Sequence, residues 1–181
     1  MRNAVVLTAA LLIVTGSGFA AGPDEHEQEQ EPQAVMAELI AEHASIQPGG
    51  TTRVGVHFEV EEGWHIYADP PGDAGLPTKI KWSAPIGTFG PLQWPPSQAF
   101  IDPGDIKTFG YTGALVLASS YTIPSAWRES PPNPLPISAD VSWLVCHEVC
   151  VPGKTHLELA LPISNDPPVH SAHAEFFEQT R

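Results

Sequence analysis

Twenty prolines are spread through the 181 residues, which fits a chain of strands and loops better than a helical one. Proline removes a backbone donor and clashes with the preceding helical turn, so a chain punctuated this way is pushed towards short strands and turns. The intervals agree. Thr52 to Val60 alternates, with Val54, Val56, Phe58 and Val60 in one phase and Arg53, His57 and Glu59 among the others. That is the pattern of a half-buried strand. Trp64–Ala68, Thr78–Trp82, Ala114–Ile123, Ile137–Val145 and His156–Leu161 read as further strands. The segment from Gln33 to His43 fits either a helix, by its Ala, Met, Glu and Leu content, or an edge strand, by its alternation. Asp69–Pro77 reads as a rigid loop, Pro85–Pro96 as turn-rich with Phe89 and Trp94 in the core, and Phe100–Tyr111 as a polar loop flanked by aromatics. Seven or eight short strands with turn signals every eight to twelve residues predict an all-β fold, an antiparallel β-sandwich.

The ends read differently. Met1-Arg2-Asn3, an apolar run from Ala4 to Val14 and the small residues to Gly22 form the pattern of a secretory signal peptide, 1–20, too short to span a bilayer. Residues 21–33 form an acidic, polar leader expected to be disordered. The sandwich is expected over 34–163, as a single domain, with a C-terminal tail over 164–181 in which Ala172–Gln179 can form a terminal helix. No cofactor is expected. The formal net charge of −13 argues against nucleic acid and anionic membrane as partners. No later stretch is apolar enough to insert the mature chain in a membrane. The expected location is periplasmic or secreted.

The only two cysteines, Cys146 and Cys150, lie in Trp143-Leu144-Val145-Cys146-His147-Glu148-Val149-Cys150-Val151-Pro152. This spacing suits one helical turn or the two sides of a tight hairpin. Either brings the Cα atoms to roughly 4.5–6.5 Å, within reach of a disulfide. The β-branched lead-in and the proline favour the hairpin. As a staple such a bridge is weak, about 2 kcal/mol, because the closed loop is short. In an oxidising compartment the pair rests as a disulfide. Three roles remain open: thiol–disulfide exchange, an inert local bridge, or a copper site. In the copper site Cys146 and Cys150 would bind with a histidine, His156, His147 or His170. His147, between the cysteines, would favour a thiolate when protonated. Trp143 alternates with Val141 and Val145 and is expected in the core beneath the cysteine loop.

Several blocks occur in order: Gly63-Trp64-His65-Ile66-Tyr67, Pro71–Thr78, Ile80-Lys81-Trp82, Gln93-Trp94-Pro95, Gly110-Tyr111-Thr112-Gly113, and Trp143 to Pro152. Together they resemble the N-terminal periplasmic domain of the DsbD family of thiol:disulfide interchange proteins. The likeness is nearest to the ScsB-like branch with a CxxxC pair, and it runs from about Val35 to Pro162. The best-known members place five residues between the cysteines; this chain places three. The resemblance implies an immunoglobulin-like sandwich with the pair at one end. It further implies that Cys150 forms mixed disulfides and Cys146 resolves them. An aromatic cap would shield the pair, for which Ile101–Tyr111 is the candidate by position, with Phe100 or Phe109 as the shield and Tyr111 in support. Implied partners are a thioredoxin-like or DsbD-like reductase as donor and periplasmic disulfide-bonded proteins, including cytochrome c maturation factors, as acceptors.

Overall fold

Val54, Val56 and Phe58 are fully buried, as their alternation requires, and the strand that carries them sets one half of a two-layer sandwich. The computed structural model describes residues 34–102, 104–126 and 130–180. The expected signal peptide and acidic leader lie outside these residues. Ten strands follow in chain order: β1 (Val35–Ala41), β2 (Thr51–Val60), β3 (His65–Gly72), β4 (Lys79–Ser83), β5 (Thr88–Gln93), β6 (Gln98–Asp102), β7 (Ile106–Tyr111), β8 (Gly113–Thr122), β9 (Leu135–Cys146) and β10 (Cys150–Leu161). A 3-10 helix closes the described chain at Ala174–Thr180. One sheet has the order β1-β2-β8-β5; the other runs β10-β9-β3-β7-β6, with β4 also paired to β9. Every strand pair is antiparallel. The fold is an immunoglobulin-like antiparallel β-sandwich.

The facing layers meet through Val56, Phe58, Leu117 and Tyr121 on one side and Ile66, Leu135, Ile137 and Val141 on the other, all buried in one cluster. Burying a side chain of this size is worth about 1.5–3 kcal/mol.

One segment left open by the sequence resolves, and four others depart from their sequence-based expectations. The ambiguous 33–43 stretch holds a strand, β1, because its alternate residues Leu39 and Ala41 enter the core while its backbone pairs with β2. The rigid loop expected from Asp69 begins later: β3 runs through Asp69-Pro70-Pro71 to Gly72. The prolines are tolerated because the β3–β7 register is interrupted between Tyr67 and Gly72, where no ladder donor is needed. The turn-rich 85–96 stretch contains β5, and the polar loop at 100–111 is a hairpin, β6–β7. The outgoing strand expected from His156 starts at Cys150, since β10 pairs with β9 along its whole length.

The chain after β10 first runs beside the 43–47 segment, and the 3-10 helix at Ala174–Thr180 then lies against the outer face of the four-stranded sheet. Phe177 is fully buried there in a second small cluster with Ile40, Val116 and Ala118. Gly55 makes the room: a β-carbon at that position would press on Val116 and on the Phe177 ring. Arg53 forks onto Glu42 (2.9 and 2.8 Å) and donates to the Phe177 carbonyl at 2.7 Å. Among the described residues, no helix is long and apolar enough to cross a membrane.

Candidate functional site

The cysteines sit at one end of the sandwich, where β9 turns into β10. Cys146 is the last residue of β9 and pairs across the ladder with Cys150, the first of β10. They form a disulfide with a Cα–Cα separation of 4.1 Å. The bridge therefore closes a hairpin loop of His147, Glu148 and Val149, as the β-branched lead-in requires. The His147 amide donates to the Val149 carbonyl at 3.2 Å within the loop. The two cysteines are unequal in access: Cys146 is only 3% exposed, whereas Cys150 is exposed. Burial of Cys146 follows from its place between strands, since it also pairs with His65 of β3.

The strand β3 supplies the walls. The Tyr67 hydroxyl donates to the Cys146 Sγ at 3.1 Å and lies 3.8 Å from the Cys150 Sγ. His65 meets Tyr67 edge to face at 5.1 Å and stacks on Phe100 of β6 at 4.4 Å, with the ring planes 12° apart. His65, Tyr67 and Phe100 thus form a continuous aromatic wall ending at the buried sulfur. His65 is buried, and its Nε2 has no hydrogen-bond partner. Burial lowers the imidazole pKa, the nearby Asp102 carboxylate opposing it in part. Burial also raises the Tyr67 pKa, and Asp102 adds to that rise, so the phenol stays protonated and able to donate. Asp102 itself accepts from the Thr108 hydroxyl at 2.9 Å. The 73–77 loop closes over Tyr67; Gly75 has φ of +96°, and any β-carbon there would collide with the Tyr67 ring.

Trp143 lies under the cysteine hairpin, half-buried, edge-on to Phe58 at 5.9 Å. Its indole rests on Gly153 of β10, where a β-carbon would collide with it. His147 is exposed and tilts over Trp64 at 5.7 Å. Of the two aromatics proposed as the shield, Phe100 stands beside the cysteine wall. Phe109 packs on the core side instead, with the Lys107 ammonium 5.3 Å from its ring centre. Tyr111 is likewise a core residue. Its hydroxyl donates to the Pro95 carbonyl at 2.8 Å, and burial pushes its pKa up to about 12.

Of the histidines considered for a copper site, His147 lies in the loop between the cysteines, and His156 and His170 are engaged elsewhere. His156 is six residues beyond Cys150 on the same strand, roughly 20 Å at a strand's rise per residue. It is occupied by Asp140 at 2.6 Å, which raises its pKa first through that hydrogen bond. His170 stacks on His43 at 5.0 Å. Among the described residues no cluster of three or more metal-ligating side chains occurs.

Sequence reasoning quoted His65 and Tyr67 as strand residues and did not place them at the site. The available signal was their shared phase, opposite Ile66: two polar aromatics on the same side of a central strand.

Fold and site together define an immunoglobulin-like β-sandwich domain bearing a hairpin disulfide, with one sulfur's residue buried and the other's exposed. The chain belongs to the family described as thiol:disulfide interchange protein DsbD, N-terminal, whose model matches residues 32–162. Among solved structures it is similar to the N-terminal periplasmic domain of ScsB from Proteus mirabilis. The TM-score is 0.58 at 21% sequence identity, over 81% of this chain and 54% of that one. The chain therefore spans about half the length of that structure. No curated protein matches it.

Proposed function

We propose that the domain relays reducing equivalents between a thioredoxin-like or DsbD-like reductase and exported, disulfide-bonded proteins through Cys146 and Cys150. The observation that carries this reading is the asymmetry of the pair: an exposed Cys150 beside a buried Cys146 held by the Tyr67 hydroxyl. An incoming thiolate attacks the Cys150 Sγ. The Cys146–Cys150 bond breaks, a mixed disulfide forms at Cys150, and its electron pair leaves on the Cys146 Sγ. Tyr67 stabilises that thiolate, because a hydrogen bond to a charged acceptor in a low-dielectric site is worth about 1.5–3 kcal/mol. The second thiol of the donor then attacks its own sulfur in the mixed disulfide. Cys150 is released reduced and the donor is left oxidised. Run in reverse against a substrate disulfide, the same steps pass the two electrons on. The wall of His65, Tyr67 and Phe100 keeps solvent and stray thiols from Cys146.

Two single-cysteine variants test the assignment. Cys146→Ser leaves Cys150 free and should accumulate a mixed disulfide with a small disulfide such as oxidised glutathione, read by mass spectrometry. Cys150→Ser should react far more slowly through the buried Cys146. Equal trapping by both variants would remove the division of roles. The reduction potential decides the reading as a whole: a relay requires a value well above about −300 mV, and a pair that stays oxidised below that poise is a fixed bridge.

A further inference from the structure

Lysine is scarce in this acidic chain, with residues at 79, 81, 107 and 154. Three of the four meet on one surface. β4 and β10 flank β9, so that Lys79, Ser142 and Lys154 stand abreast in one row and Lys81, Asp140 and His156 in the next. Lys79, Lys81 and Lys154 are all exposed. The face also carries acid: Asp140 is bonded to His156, and Glu158 lies 3.7 Å from the same ring. His156 is held towards its charged form by these carboxylates. The lysines themselves are not matched by a carboxylate in any ion pair among the described residues.

Two adjoining hollows shape this surface. A shallow dish of about 630 Å³ is lined by the three lysines together with Asp140, Ser142 and His156. A groove of about 430 Å³ continues from it towards the disulfide, between Leu76 and Pro77 on one side and Trp143 and Pro152 on the other. Leu76 is 62% exposed, and Val149 in the cysteine loop is 64% exposed. The groove shares Lys79, Ser142 and Lys154 with the dish, and its apolar end at Pro152 lies two residues from Cys150 along β10.

We propose that this surface docks an extended, acidic segment of a redox partner protein, lying next to that partner's reactive cysteine. The inference rests on the exchange function and adds the chemistry of its partner. Charge complementarity selects the occupant. In a chain of net charge −13, a concentration of unpaired cations on the sheet face that leads to the reactive sulfur, in rows roughly 13 and 20 Å along β10 from Cys150, recruits an anion that the rest of the surface repels. Spacing selects the conformation: alternate residues of an extended strand repeat at roughly 6.7 Å, which matches Lys79 to Lys81 along β4. Carboxylates at alternate positions of the partner segment can thus meet successive lysines. An apolar side chain nearer the cysteine fills the groove at Leu76, Trp143 and Pro152.

The test uses two synthetic monothiol peptides of equal length, one with glutamates on the side of its cysteine and one with glutamines there. Each opens the disulfide by forming a mixed disulfide at Cys150, and the rate is read by acid quench and mass spectrometry. The acidic peptide should react about tenfold faster at low ionic strength, with the advantage falling as salt is raised. In K79Q/K81Q/K154Q the advantage should reverse, because only the repulsive field remains, while the rate with dithiothreitol, whose thiolate carries no further carboxylates, should fall much less than that of the acidic peptide. A preference for the glutamine peptide in the unaltered protein would overturn the proposal, as would an acidic preference that survives in the triple variant. Lysine-dependent sedimentation with phosphatidylglycerol vesicles, without any peptide preference, would also overturn it in favour of a lipid surface. Should dithiothreitol fail to open the pair, the exchange function falls separately. Serine versions of the two peptides, titrated by tryptophan fluorescence, then decide the docking alone: lysine-dependent binding of the acidic one upholds it, and equal binding rejects it.

Discussion

The two outer faces of the sandwich are finished in different ways. On the four-stranded sheet the chain covers itself: Phe177 is sealed onto Ile40, Val116 and Ala118, Arg53 clamps Glu42 and the Phe177 carbonyl, and the Ser171 hydroxyl donates to the Ala41 carbonyl at 2.6 Å. On the six-stranded sheet the corresponding outer face at β4, β9 and β10 is left uncovered by the described chain, and its side chains include three lysines, the His156–Asp140 pair and exposed apolar residues. The first face spends its contacts on stability. The second holds little of the core and lies beside the disulfide, so substitutions there should change reactions and leave folding alone.

The comparison breaks most visibly at Phe177. Phe177→Ala should cost about 3–5 kcal/mol, read as a lower urea midpoint, because it removes a fully buried ring and leaves a cavity. The rate of disulfide opening by dithiothreitol should be unchanged; a parallel fall in both would mean that the two faces are coupled. The cysteine pair should matter much less to stability. Cys146→Ala/Cys150→Ala should lose about 2 kcal/mol, since a five-residue loop restrains the unfolded chain little. A loss as large as that of Phe177→Ala would make the bridge a structural element. Tyr67→Phe should lower the exchange rate about tenfold and move the reduction potential negative by roughly 30 mV, the equivalent of about 1.4 kcal/mol, with the urea midpoint nearly constant. An unchanged potential would show that the hydroxyl does not favour the reduced form.

The smallest effect is a pH dependence at the aromatic wall. Burial depresses the folded-state pKa of His65 below its unfolded value near 6.5, so the unfolded chain binds more protons as pH falls through that value. Stability should therefore be full above about pH 7 and decline towards pH 5, and His65→Phe should flatten that slope in urea titrations. Exposed His156, raised by Asp140, acts with the opposite sign. Its contribution is present below the unfolded pKa and is lost as pH rises through the folded one, and salt should suppress it. A slope unaffected by His65→Phe would place the titrating group elsewhere.

The cysteine hairpin was legible in the sequence because a β-branched run on one side and Pro152-Gly153 on the other leave little else for the chain to do. The strand β2 was legible because Val54, Val56 and Phe58 alternate without interruption. The β6–β7 hairpin was not. Gln98, Ala99 and Gly110 give weak strand propensity, so pairing across the sheet decides it. The passage of β3 through two prolines was hidden for the same reason, since a break in register cannot be seen from one strand. The wall at the disulfide depends on contacts far apart in the chain: Tyr67 and Cys146 are 79 positions apart, and only the β3–β9 pairing brings them together. Periodicity can give the phase of Tyr67; it cannot give its neighbour on another strand.

The disulfide joins residues that the β9–β10 ladder already holds opposite one another, and that ladder continues for eleven further residue pairs to Leu161 and Leu135. Opening the bridge therefore releases almost no backbone. Oxidised and reduced forms should share one outline, and a partner that must tell them apart has only the sulfurs themselves to consult. Discrimination between a donor and an acceptor then falls to reaction kinetics at Cys150, with no change of shape to announce which form is present.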